Sequence, residues 1–238
     1  MNIGDIISDA LAYPLHNVKA LVLYIVLGII AAIIGGTTVL TFLTAAGTQG
    51  ISAFALDGMG VLGIIVFIIL VFLIQGYGLD IVKFAIERRS DSPGIEFGRQ
   101  VTNAIRLLAV DIAYYLIPAV IIFVLGFIFR DWILTIISII LIIIFALANF
   151  MARCRLAKTE RLGDALAVGE AIGDISRVGF GRLITTVLII VVVAVLIIFV
   201  VGIFSAINDT LGDILLGIAM VYLIFFCHRA IGLLYSDI

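Results

Sequence analysis

Long unbroken apolar runs alternate along this chain with shorter stretches in which polar and apolar residues trade places at helical spacing. The clearest run, Val187 to Phe204, contains no charged residue. A bilayer core of about 30 Å takes roughly 20 apolar residues in a helix. Lipid offers the backbone no hydrogen-bond partners, so helices are the natural reading; barrel strands would alternate instead of running evenly apolar. The pattern predicts six spans, at about 20–43, 60–82, 107–128, 132–152, 184–206 and 211–232. Two connections are tight. Phe129-Arg130-Asp131-Trp132 joins spans three and four, and Ala206-Ile207-Asn208-Asp209-Thr210 joins spans five and six. Links this short make their helices antiparallel neighbours. The link from Thr44 to Met59 is longer and reads as an outer loop.

The alternating stretches precede each pair of spans. Ile3, Ile6, Ile7, Ala10 and Leu11 share one helical face, away from Asp5, Ser8 and Asp9. Phe97, Val101, Ala104, Ile105 and Leu108 oppose Glu96, Arg99, Gln100 and Asn103. Leu162, Ala165, Leu166, Gly169 and Ile172 oppose Glu160, Asp164, Glu170 and Asp174. These are amphipathic spacings. Start signals at Asn2, Ser92-Pro93 and Thr159 support them. The expected fold is therefore all-α integral membrane: six transmembrane helices as three hairpins, each preceded by a cytoplasmic-side amphipathic helix. The chain reads as a single transmembrane domain, 1–238, with internal units 1–82, 93–152 and 159–232. The plainer alternative is membrane architecture with interfacial linkers and no ancestral repeat. The third amphipathic stretch is rich in Ala and Gly and is expected to pack on protein.

Composition agrees: 64% of residues are hydrophobic and 13% charged, at a net charge of −2. Nothing basic enough to hold nucleic acid is present. Lys and Arg orient the spans. Lys83, Arg88, Arg89, Arg99 and Arg106 lie between spans two and three, and Arg153, Arg155, Lys158, Arg161, Arg177 and Arg182 between four and five. Arg130 alone lies on the other side. The positive-inside rule then puts both termini and both long loops in the cytoplasm, for a multi-pass protein of the cell membrane. The first twenty residues have no basic leader and do not read as a cleaved signal peptide.

Polar groups within spans are costly, which makes each a candidate site. Gln75 and Asp80 lie in span two, Asp111 in span three, Asn149 in span four and His228 in span six. Lys83, three residues beyond Asp80, can pair with it on one helix face. Lys83 and Arg229 are the expected partners of Asp111. The alternative reading of these groups is interfacial anchoring and interhelical hydrogen bonding. Pro118 should kink span three and free the Tyr114 carbonyl. Ala31/Gly35 and Ala32/Gly36 make a small-residue packing face, within the chain or between copies. Cys154 and Cys227 have neither zinc nor redox spacing and read as reduced packing residues. His16 and His228 belong to no HExxH or nucleophile elbow, and no P-loop occurs. Gly179-Phe180-Gly181-Arg182 reads as a hinge into span five. No catalytic residue, metal site or cofactor is expected.

Several short motifs resemble a domain-of-unknown-function family of archaeal, largely methanogen, membrane proteins. They are Ala10-Leu11-Ala12-Tyr13-Pro14-Leu15 before span one, Gly76-Tyr77-Gly78-Leu79 in span two, Glu96-Phe97-Gly98 through Ile105-Arg106, and Tyr114-Tyr115-Leu116-Ile117-Pro118. The acidic, aromatic linker of that family is reduced here to Arg89-Ser90-Asp91-Ser92-Pro93. The resemblance implies fold and an archaeal membrane setting, and no active site. The expected function is a non-catalytic scaffold or lipid-interacting component. Its partners would be membrane lipids, a second copy or other membrane proteins. The alternative is a transporter or channel subunit with a polar site between spans two, three and six.

Overall fold

The computed structural model describes residues 1–48, 58–129 and 131–238, with side chains over 1–36, 61–129 and 132–238. Among these residues every element is a helix: α1 (Ile3–His16), α2 (Val18–Thr48), α3 (Gly58–Ile86), α4 (Phe97–Leu125), α5 (Asp131–Thr159), α6 (Leu162–Leu166), α7 (Val168–Val178), α8 (Phe180–Ser205) and α9 (Asp209–Tyr235). Six of them, α2 to α5 with α8 and α9, are long and apolar enough to cross a membrane. The expected loop Thr44–Met59 falls partly on the ends of α2 and α3, and its residues 49–57 lie outside the described residues, as does Arg130.

Two helices run further than their apolar runs. Residues 97–106 form no separate element; they are the first three turns of α4. Nothing between Asn103 and Leu108 breaks a helix, so the polar-apolar stretch and the span propagate as one. Likewise α5 continues past the apolar run through Arg153, Cys154, Arg155, Leu156, Ala157 and Lys158, most of them good helix formers. The third alternating stretch is broken instead. Ala167 (φ −73°, ψ 81°) separates α6 from α7, and Gly179, at φ 95°, turns α7 into α8. That positive φ is the conformation glycine adopts at little cost.

The bundle is organised around α9, which touches α1, α2, α3, α5 and α8. From Phe225 to Tyr235 nearly every residue of α9 is buried. By contrast α8 is peripheral. Leu188, Val195, Leu196 and Phe199 are each more than half exposed, as expected of a face turned to lipid. The helices meet closely where side chains are missing. A Cβ on Gly217 of α9 would stand 2.5 Å from the Ile29 Cα, and one on Gly28 of α2 2.7 Å from the Gly217 carbonyl oxygen. On the small-residue face of α2, Ala31 is buried and Gly35 meets Phe67, while Gly36 is exposed.

On α1, Asn2 caps the first turn by accepting from the Gly4 amide at 2.6 Å. Ile6, Ala10 and Tyr13 are buried, while Asp5 and Ser8 stay exposed. Tyr13 joins Tyr24, Tyr77 and Phe225 in one cluster. Tyr24 and Tyr77 stack at 4.3 Å, and Phe225 closes on both at 5.9 and 5.3 Å. Such contacts contribute about 0.5–1.5 kcal/mol beyond area burial. The two termini lie at the same end of the bundle. The Met1 ammonium is 3.1 Å from Asp237, which also receives Arg88 (2.6 Å) and Arg182 (2.7 Å). This is the charged end.

Candidate functional site

The five polar residues singled out within spans do not converge on one site. Asp111 and Asn149 do meet. The Asn149 amide donates to Asp111 at 3.0 Å, and Arg153, one turn further along α5, grips both Asp111 oxygens through Nη2 at 2.8 Å. Arg153 Nε also donates to the Asn149 side-chain oxygen at 2.9 Å. This two-pronged guanidinium bond is strong and directional. The expected partners Lys83 and Arg229 are engaged elsewhere. Lys83 bonds Glu160, and Arg229 donates to Asp9 at 2.7 Å. Asn149 and Arg153 are four apart, so one face of α5 presents both to Asp111.

Asp80 belongs to a second cluster. It does not pair with Lys83, because α4 offers better-placed donors: Arg99 Nε at 3.2 Å and Asn103 at 2.9 Å. Asn103 also reaches toward the Gly76 carbonyl at 3.4 Å. The approach depends on Gly76, since a Cβ there would overlap the Gln100 backbone. Gln75 stands apart: among the described residues it is the one polar side chain lining a cavity of about 670 Å³ among α2, α3 and α9, whose other walls include Gly28, Ala31, Phe67, Val71 and Met220. His228 packs on Gly78. Its Nδ1 donates to the Ile224 carbonyl at 2.7 Å, which in the neutral ring leaves Nε2 as the acceptor. That Nε2 is buried without a partner among the described residues. Pro118 is buried inside α4, and its missing N–H leaves the Tyr114 carbonyl without that helical bond.

Sequence reasoning missed three features. Asp174, assigned to the polar face of the third stretch, is 1% exposed. It accepts from Arg155 (3.0 Å), Arg177 (2.9 Å) and the Tyr235 hydroxyl (2.8 Å), and three donors offset the cost of burying it. Gln100, also taken as polar-facing, is fully buried; its amide and the Tyr24 hydroxyl face one another without closing a hydrogen bond. The third is a polar cavity of about 290 Å³ at the charged end, between α3, α4 and the end of α5. Lys83, Arg99, Arg106, Asp80 and Glu160 line it. Arg99, Thr102, Asn103 and Arg106 recur at three- and four-residue steps, a stripe legible in sequence once α4 is known to begin at Phe97.

Electrostatics at this end favour the ionised forms of Glu160 and Asp237. The bond from Lys83 and then its charge hold the Glu160 carboxyl below its ordinary range. Arg182 foremost, with the Met1 ammonium, does the same for Asp237. Burial pushes the Tyr13 phenol up to about 12, with Arg229 opposing. Among the described residues no three His, Cys, Asp or Glu side chains stand together as a metal would require.

Six helices among the described residues, each long and apolar enough to cross a bilayer, define a multi-pass helical membrane protein. Residues 59–207 match the family described as "Protein of unknown function (DUF4013)", and the chain belongs to it. No curated protein and no solved structure matches the chain.

Proposed function

We propose that this chain is a non-catalytic scaffold or lipid-interacting component of a cell membrane, built from three hairpins each led by an amphipathic segment. The units are 1–82, 93–152 and 159–232, and both termini are cytoplasmic. The archaeal setting rests on the motif resemblance, and the orientation on the Lys and Arg bias. Membrane lipids are the primary partners, with a second copy or other membrane proteins beside them. One observation carries the reading. The carboxylates Asp80 and Asp111 are held by Arg99 and Arg153, whereas the cavity deeper in the spans has apolar walls but for Gln75. A solute path needs polar groups free at that depth.

The second reading, a transporter or channel subunit, draws on Asp111, Asn149 and the unpartnered His228 Nε2. Reconstitution in vesicles separates the two. The scaffold reading expects no solute flux and no turnover, and expects Asp111→Asn to keep the fold while Asp111→Leu lowers thermal stability in detergent by about 1–3 kcal/mol. Flux that Asp111→Asn abolishes at unchanged stability would overturn it. Orientation is checked by single-cysteine labelling: external reagent reaches position 208 and leaves 92 and 158 unlabelled.

A further inference from the structure

The cavity between α3, α4 and the end of α5 carries more positive charge than its own carboxylates cancel. Lys83, Arg99 and Arg106 face Asp80 and Glu160, which leaves one net positive charge. Asp80 is a fixed part of the wall, buried and held by Arg99 and Asn103. Glu160 is different. Its side chain is 62% exposed, and its one ion-pair partner is Lys83. It stands just past α5 at φ 56°, a backbone conformation that glycine adopts more readily than glutamate. Arg106 makes no hydrogen bond or ion pair among the described residues; only its charge acts on Glu160, so its donor fork is free.

We infer that this cavity is a binding site for a phosphate group, held by Arg106 and Lys83, with Glu160 occupying Lys83 until the phosphate displaces it. With Glu160 swung out, three cations face one carboxylate, and the surplus of two matches the charge of a phosphate group, about −1 to −2. A forked guanidinium and a rotatable ammonium together suit a tetrahedral anion. Thr102 donates its one hydroxyl hydrogen to the Gly98 carbonyl at 3.0 Å and so adds no donor for the anion. The site also sits at the border of the lipid-facing surface. Ile105 and Ile112, seven apart on one face of α4 to one side of Arg106, are each 54% exposed. A phospholipid can therefore place its headgroup in the cavity and its chains along α4. This deepens the lipid-interacting reading and rests on it for the source of the phosphate; a soluble phosphate would use the same donors.

The test is a thermal-shift and native mass spectrometry titration of the full chain, purified in detergent free of anionic lipid. Three probes are compared: phosphatidic acid in mixed micelles, diacylglycerol with the same chains, and inorganic phosphate. Phosphatidic acid is expected to bind and to raise the melting temperature where diacylglycerol does not. Arg106→Gln should weaken it about fivefold, the worth of one cation near a charged surface, with the variant's own melting temperature unchanged because Arg106 ties nothing together. Glu160→Gln should tighten it by a similar factor. An equal, Arg106-dependent response to inorganic phosphate assigns the site to a soluble ligand: the site stands and the lipid source fails. Equal binding of diacylglycerol, or binding indifferent to both Arg106→Gln and Glu160→Gln, overturns the site. Neither result depends on vesicle flux, which tests the scaffold reading separately.

Discussion

The charged end of the bundle and its apolar remainder are held by different physics. At the charged end, α1, α7 and the second half of α9 pack on the spans. This end holds the stacked Tyr24–Tyr77 pair and the paired carboxylates Asp9, Asp80, Asp174 and Asp237. Away from it, helices touch through small residues and turn large aliphatic faces outward, as on α8. In lipid those outward faces give no hydrophobic drive to association, because the tails are as apolar as leucine. Specificity is therefore concentrated where water and charge are near, and the rest of each span mainly satisfies the bilayer.

The sharpest way to break this contrast is to remove an anchor. Asp174→Leu takes from Arg155, whose side chain is 17% exposed, its close carboxylate and leaves it only Glu170 at 3.9 Å. The expected loss is about 3 kcal/mol or more, read as a lower melting temperature in detergent; Asp174→Asn should lose less. A loss below that of a lipid-facing substitution would contradict the division. Next comes a tight crossing away from the charged end. Gly217→Leu must push α9 off the Gly28–Ile29 backbone, at about 1–3 kcal/mol. An unchanged melting temperature there would mean that the crossing is loose.

Acid should affect the charged end selectively. Arg182 and the Met1 ammonium depress the Asp237 carboxyl, so its contribution is whole above the ordinary carboxylate range and is lost as pH falls through the depressed value. Thermal stability should therefore decline below about pH 4, and Asp237→Asn, lacking that contribution throughout, should show a shallower decline. Parallel curves would remove Asp237 from the account. The smallest effect is expected on the outer face of α8. Leu196→Ala, at a position 60% exposed, should change stability by about 0.5 kcal/mol or less. A larger loss would show that this face is covered by protein.

The six spans were legible because the bilayer imposes one long apolar run per crossing; each run coincides with a long helix, the third ending three residues and the fifth one residue past its helix. What escaped was which polar residue faces which. Asp80 sits near Lys83 in sequence, yet binds Arg99 and Asn103 across the Gly76 contact, and no periodicity within α3 reveals its neighbour α4. Asp111 followed the same logic: a basic partner from another element was foreseeable, but Arg153 depends on the register between α4 and α5. Asp174 was misassigned because an acid among alanines and glycines looks solvated, while Arg155, nineteen residues away, makes it a core residue. The stripe Arg99–Thr102–Arg106 was hidden by starting span three at 107.

The central place of α9 also has a kinetic side. This helix is made after α1 to α8, yet α1, α2, α3, α5 and α8 all pack on it. The spans α2, α3, α5 and α8 are thus inserted with a face still waiting, and contacts such as Arg229 with Asp9, 220 residues apart, close only once α9 has been made. Assembly should therefore be late and abrupt. A nascent chain stopped before Asp209 would be inserted but open, with its unfilled groove exposed to quality-control proteases or to neighbouring membrane proteins.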